Sequence, residues 1–371
     1  MSAIQPIVMP KWGLAMQEGM VAVWHVEPGA TVTAGQELCD IETSKIANVF
    51  ESPVDGLLRR VVAAPGETLP VGALLAVVAD QATEDAAIDG FIDEFQAAFA
   101  VEATAEAQPE PVSIATAAGR IRYLPIGDAA GPPVIFVHGF GGDLYNWQFN
   151  QAEVAAHATT YALDLPGHGG STKDVGDGSL GVLVDAVLAF MDALQIERAH
   201  LVGHSMGGRT AIGVAAAAPD RVASLVLLAP GGVGPTVNHD FIDGFIGQSR
   251  PKKLRAVLEM LVANPDLVTN EMVDDVIKFK RLDGAVAALE ALRDGCLYAP
   301  VDDATAVRDR LAKSPCPVHV VWGNEDRVLP ANDAEGLPAN VHVTRLDGAG
   351  HMPHMERAAD VNALIERVVR G

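Results

Sequence analysis

The chain has 371 residues, 49% of them hydrophobic, and a formal charge of −22, so it can bury more than one core and reads as two or three domains. So acidic a surface argues against nucleic-acid binding and against docking on an anionic membrane. The three cysteines, Cys39, Cys296 and Cys316, have neither metal-ligand nor disulfide-framework spacing, and no basic-then-apolar leader or long apolar run is present. The expectation is a cytoplasmic, metal-free protein.

In chain order, the first feature is an internal repeat. "GMVAVWHVEPGATVTAGQELCDIE" (19–42) recurs, shifted by 37 residues, as "GLLRRVVAAPGETLPVGALLAVVA" (56–79). The shift superposes Gly19 on Gly56, Pro28 on Pro65, Gly29 on Gly66 and Gly35 on Gly72. Apolar residues alternate as in strands, and Pro-Gly marks matching turns. Each half is too small to bury its own face, so the two are expected to pack as one all-β sandwich. Lys45 sits between the halves, where "ETSK" reads as a chain reversal that holds the lysine clear of the core.

Residues 1–79 resemble the lipoyl domains of 2-oxo-acid dehydrogenase complexes, on "MPKWGLAMQEG" (9–19), "PGATVTAGQ" (28–36), "DIETSKI" (40–46), "SPVDG" (52–56) and "GALLAVV" (72–78). The resemblance implies that Lys45 carries lipoic acid in amide linkage, installed by a lipoate-attaching enzyme. Biotin carriers share this fold but usually flank the lysine with methionines; here the flanks are Ser44 and Ile46.

Residues 80–111 contain nine acidic residues and no Lys or Arg, which predicts a flexible, self-repelling linker. Within it, Ile88, Phe91, Ile92, Phe95 and Phe99 recur at helical spacing. This short amphipathic helix has two readings: its stripe packs on a neighbouring domain of the chain, or it docks a partner enzyme.

From residue 112 the pattern changes to short apolar strands followed by Gly-rich turns and helices, as expected of a parallel sheet covered on both faces. "GHSMG" (203–207) lies directly after a strand and before a helix, the context of a nucleophile elbow that presents Ser205. A serine needs a base and an orienting acid. Asp326 in "WGNED" and His351 in "DGAGH" follow later strands, with Glu325 and His354 as rivals; His204 is read as shaping the elbow. The backbone N–H groups of Phe140, in "HGFGG", and Met206 are the expected oxyanion donors. Residues 234–300 interrupt the sheet pattern with helical sequence and are expected to form a lid. A single H-x-x-x-D-G match, "HDFIDG" (His239 to Gly244), lies at its start. It matches the signature of ordinary acyltransferase subunits, whose other features are absent.

Residues 112–371 resemble the α/β-hydrolase family, and the serine at the elbow argues against its aspartate-nucleophile branches. The expected architecture is therefore multidomain: an all-β lipoyl sandwich (1–79), an acidic linker (80–111) and an α/β-hydrolase domain with a helical lid. The combination resembles the acetyltransferase (E2) components of acetoin dehydrogenase systems. That resemblance implies acetyl transfer from the arm on Lys45 to coenzyme A. It also implies a thiamine-diphosphate-dependent E1 that loads the arm and a dihydrolipoyl dehydrogenase (E3) that reoxidises it. No coenzyme A signature is visible in the sequence, so a carboxylesterase or thioesterase, or a non-catalytic acyl carrier, remain the alternatives.

Overall fold

The computed structural model describes residues 4–10, 18–42, 47–105, 109–298 and 304–371. The chain divides into two compact units, Met1–Gln108 and Pro109–Gly371.

The N-terminal unit contains β1 (Gln5–Val8), β2 (Glu18–Trp24), β3 (Thr31–Val32), β4 (Glu37–Glu42), β5 (Ala47–Glu51), β6 (Gly56–Val61), β7 (Thr68–Pro70) and β8 (Leu74–Val78). They form two four-stranded sheets, β1-β8-β6-β3 and β5-β4-β2-β7. Exchanging the two halves of the repeat turns one strand order into the other. Ile7, Val21, Val32, Leu38, Ile41, Leu58 and Leu75 share one fully buried core. The hydrogen bonds repeat as well: Gly29 N–H donates to Leu58 O and Gly66 N–H to Val21 O, both at 2.7 Å. These glycines lie at φ 96° and 84°, a left-handed conformation that glycine adopts without steric cost. The symmetry continues past the detectable repeat, since Gly35 N–H donates to Ser52 O and Gly72 N–H to Met9 O. Ser52 lies 43 residues after Met9, so the offset of 37 changes across β1 and β5.

β4 and β5 pair antiparallel down to Glu42 opposite Ala47. Residues 43–46, Lys45 among them, lie outside the described residues.

The connector differs from expectation. Asp85–Ala105 is one helix of 21 residues, longer than the short element foreseen. Its start is docked on a neighbouring domain, the first of the two readings of its stripe. Ile88 is fully buried with Leu74, Val77 and Ala79, and Phe91, Ile92 and Phe95 pack against that cluster. Arg59 holds Asp85 at 2.9 Å and Arg60 holds Asp89 at 3.3 Å. The absence of cations within 80–111 is met by two arginines on β6, and the apolar stripe is occupied by the helix's own unit.

The second unit is built on an eight-stranded sheet. Its strands are β9 (Val112–Thr116), β10 (Gly119–Ile126), β11 (Val134–Val137), β12 (Thr160–Leu163), β13 (Ala199–His204), β14 (Val222–Leu228), β15 (Val318–Gly323) and β16 (Val341–Leu346). The order is β16-β15-β14-β13-β11-β12-β10-β9. β9 and β10 form the antiparallel hairpin at one edge, and the six strands from β12 to β16 run parallel. β11 shows why its sequence is uniformly apolar. Ile135 and Val137 enter the core with Leu183, Val187 and Phe190. Val134 and Phe136, on the other face, meet Trp147, Val154, Val361 and Ile365. Both faces are covered, so alternation disappears. Between β14 and β15 lie helices His239–Gly247, Pro251–Leu258, Asn270–Lys280 and Ala285–Leu292, within the span expected to form a lid. No helix among the described residues is long and apolar enough to cross a membrane.

Ile88→Ala should destabilise the N-terminal unit by roughly 2–5 kcal/mol, the usual cost of emptying a buried aliphatic site. Hydrogen exchange on the full chain should show lost protection in β8 and the helix after it, with protection in β11 and β13 unchanged.

Candidate active site

The elbow follows from a close approach of backbone to backbone. A Cβ at Gly203 would lie 2.5 Å from Gly207 O, and one at Gly207 would lie 2.2 Å from Val137 O. Only glycine lets β13, β11 and the helix Met206–Ala217 come this close. The turn between them forces Ser205 to φ 52°, ψ −116°, strained for a residue with a side chain. The turn is held by Ser205 N–H donating to Leu228 O and Gly231 N–H donating to Ser205 O, both at 2.9 Å.

Asp326 and His351 emerge from the loops after β15 and β16. His351 Nδ1 lies 2.8 Å from Asp326 Oδ2, with side-chain exposures of 2% and 0%. The carboxylate is fully engaged: Oδ1 accepts from Val328 and Leu329 N–H at 2.8 and 2.9 Å, and Oδ2 accepts from Trp322 Nε1 at 3.1 Å. Its orientation is thereby fixed, and it fixes the ring. Ser205 and His351 both line a cavity of about 460 Å³. Phe140 and Met206 line the same cavity.

The rivals are placed elsewhere. Glu325 accepts from Ala349 N–H, supporting the backbone of the His351 loop and not its ring. His354 is completely buried between the rings of Trp147 and His204, at 4.6 and 4.7 Å, and neither ring nitrogen has a hydrogen-bond partner. Burial pushes its pKa down to about 3. His204 Nε2 donates to His351 O at 2.7 Å, so the elbow also supports the loop that carries the candidate base. In the acyltransferase-like match, His239 lines the cavity and stacks on Tyr298 at 4.2 Å. Asp243 instead faces Arg293 at 3.4 Å on the exterior. Both polar members of that motif are solvent-exposed, and of the two only His239 lines the cavity.

Several supporting groups had no sequence signal strong enough to single them out. Asp164, at the end of β12, accepts from Leu144 N–H at 2.8 Å and Gly170 N–H at 2.7 Å and pairs with Arg122 at 3.2 Å. His138 Nδ1 donates to Gly139 O, and its Nε2 accepts from Leu165 N–H. His168 Nε2 accepts from Gly141 N–H. Together these shape the loop around Phe140, and Gly141 N–H is already committed. Arg209, one helical turn after Ser205, is buried at the cavity wall and donates to Cys296 O at 2.7 Å; a charge inside an apolar helix was the available clue. Glu356 Oε1 accepts from Ala263 N–H and Oε2 from Gly350 N–H. Burial raises its pKa against the opposing pull of these bonds.

The comparisons with known proteins bear on the two units of the chain. The alpha/beta hydrolase family profile matches residues 134–364, and a profile described as biotin-requiring enzyme matches residues 5–78. The chain is 44% identical, over 98% of its length and 97% of the relative's, to the dihydrolipoyllysine-residue acetyltransferase component of the acetoin cleaving system of Pseudomonas putida. The protein of the same name from Cupriavidus necator is 44% identical over 99% and 98% of the two chains. This chain belongs to that acetyltransferase-component family. Family membership covers both units, because each match runs through the lipoyl-type module and the hydrolase unit together. Among solved structures, a meta-cleavage product hydrolase from Pseudomonas fluorescens matches with a TM-score of 0.62 at 24% identity, over 70% of this chain and 97% of its own. At that identity the likeness shows the α/β-hydrolase fold alone.

The buried histidines predict a pH dependence. Burial lowers the pKa of His138, His168, His204 and His354 from the ordinary 6.5. Below 6.5 the unfolded chain takes up protons that the folded chain refuses, so stability should fall as pH drops from 6.5 toward 3. His354→Leu removes two unpartnered buried nitrogens and should flatten that decline, measured by denaturant unfolding at a series of pH values. A variant as acid-sensitive as the parent would contradict the reading of His354 as a neutral core residue.

Proposed function

We propose that this chain transfers an acetyl group from a lipoyl thioester on Lys45 to coenzyme A, using Ser205, His351 and Asp326. One observation carries the reading. A member of the acetoin-cleaving acetyltransferase family has Ser205 on a strained elbow in the same cavity as His351, whose ring is bonded to a buried, fully coordinated carboxylate.

The pairing in the carrier module supports the reading. β4 and β5 stay paired until Glu42 and Ala47, on either side of the four residues that include Lys45. Lipoic acid in amide linkage there supplies, when bound, a thiol that carries the acyl group as a thioester. At the hydrolase unit, His351 takes the proton of Ser205 as Oγ attacks the thioester carbonyl. Asp326 holds the ring in one tautomer and stabilises its charged form. Phe140 and Met206 N–H groups receive the developing oxyanion. His351 then protonates the departing thiolate, and the thiol of coenzyme A deacylates Ser205 in the reverse sense. The place of the family in an acetoin cleaving system calls for an enzyme that loads the arm and one that reoxidises it. These we take to be the thiamine-diphosphate-dependent E1 and dihydrolipoyl dehydrogenase E3.

Free acetyl-dihydrolipoamide with coenzyme A should yield acetyl-CoA. Ser205→Ala and His351→Ala should each lower the rate on the order of 10³-fold or more, followed by quenched-flow mass spectrometry. Acetate as the sole product would make the chain a thioesterase, and no turnover at all would leave it a carrier. Lys45→Arg should abolish the lipoyl mass increment yet preserve turnover of the free acyl donor.

A further inference from the structure

The loop bearing His351 is not held by its own unit's sheet alone. Residues 259–264, the turn between two lid helices, lie directly on it. His351 N–H donates to Leu261 O at 2.8 Å, so the lid backbone covers the imidazole residue itself. A Cβ at Gly350 would meet Ala263 N at 2.8 Å, which shows how little space separates the two segments. Leu258 and Leu261, at the same turn, line the cavity. Two charged side chains fasten this turn. Glu356 spans it, with Oε1 accepting from Ala263 N–H at 2.6 Å and Oε2 from Gly350 N–H at 2.7 Å. Arg327, adjacent to Asp326, donates to Val262 O at 2.8 Å and to Glu259 O. The acid loop and the base loop are thus both tied to one lid turn.

We propose that Glu356 is a positioning residue whose carboxylate clamps the lid turn onto the His351 loop, and that this clamp commits the acyl-serine to a thiol acceptor instead of water. The inference rests on the acyl-transfer reading above. In deacylation the acceptor S–H proton passes to His351, sulfur bonds to the acyl carbon, the acyl–Oγ bond breaks and Oγ regains the proton. Water enters by the same transfers and releases the free acid. Both routes use the same base and the same oxyanion donors, so Ser205 and His351 alone give no preference. What separates them is access, and a small nucleophile gains most from a gap beneath the lid. A carboxylate that accepts one N–H from each side of that seam closes it with two charge-assisted bonds.

The test is the product ratio. The full lipoylated chain is given acetyl-dihydrolipoamide and saturating coenzyme A, and acetyl-CoA and acetate are both quantified. In Glu356→Ala the acetate share per turnover should rise roughly tenfold, the scale of one or two lost charge-assisted bonds. Glu356→Gln, which keeps one acceptor oxygen, should fall between the variant and the parent. Arg327→Met frees the same turn from the other side and should shift the ratio in the same direction, which keeps the proposal testable if Glu356→Ala does not fold. A general loss of folded enzyme lowers both products equally and leaves the ratio unmoved. A parent that forms acetyl-CoA alongside Glu356 and Arg327 variants with its unchanged ratio overturns the clamp and spares the transfer reading. A parent that forms only acetate overturns the transfer reading, and the clamp with it.

Discussion

The second unit depends on one steric constraint: β13, β11 and the helix after Ser205 approach so closely that no side chain fits at Gly203 or Gly207. That approach bends the chain sharply enough to hold Ser205 at positive φ, and it sets the height at which the hydroxyl stands above the sheet. Parallel strands then bring the other parts to the same edge, because every loop leaving a strand's C-terminal end arrives on one side. The segment 138–142 follows β11, Asp326 follows β15 and His351 follows β16. The site is an intersection of loops whose positions are dictated by backbone contact, not a pocket lined after the fact.

Four histidines brace the loops around this intersection. His138, His168, His204 and His354 are all buried, and burial lowers the pKa of each, favouring the neutral ring. Their ring nitrogens are used, where used, to fix backbone: Gly139 and Leu165 by His138, Gly141 by His168, His351 O by His204. Neutral rings can brace loops without adding positive charge beside the Asp326–His351 pair.

Much of this was readable from the sequence because it is local. Gly-His-Ser-Met-Gly between a strand and a helix is a contiguous pattern, and the 37-residue repeat is carried by turn glycines that must recur wherever the turns do. What was not readable depends on partners distant in the chain. The length and anchoring of the helix Asp85–Ala105 are not legible locally, because the arginines that hold it, Arg59 and Arg60, lie in the preceding β-rich segment. The symmetry of β1 and β5 was hidden by the change in offset. Glu356 sits in "HMPHMER" with no motif to mark it; its significance comes from Ala263, 93 residues earlier. Asp326 and His351 could be ranked above Glu325 and His354 from strand ends, but what distinguishes them is geometric: His351 Nδ1 meets Asp326 Oδ2 beside the cavity, whereas Glu325 bonds backbone and His354 is walled in by Trp147 and His204.

The cavity itself constrains how such an enzyme gains its specificity. An acetyl group fills the space of about two water molecules, roughly 60 Å³, in a cavity of about 460 Å³. So small a group offers few contacts, and little of the binding energy needed to organise the site can come from it. A carrier on the same chain changes the requirement, because tethering raises the local concentration of the donor without any tight recognition of its cargo. The remaining volume is walled largely by apolar side chains, among them Phe241, Ile242, Phe245, Leu258 and Leu261. On this account the large apolar cavity and the small acyl group are not in conflict: selectivity lies in what delivers the group and in what is kept from meeting it, not in a pocket cut to its size.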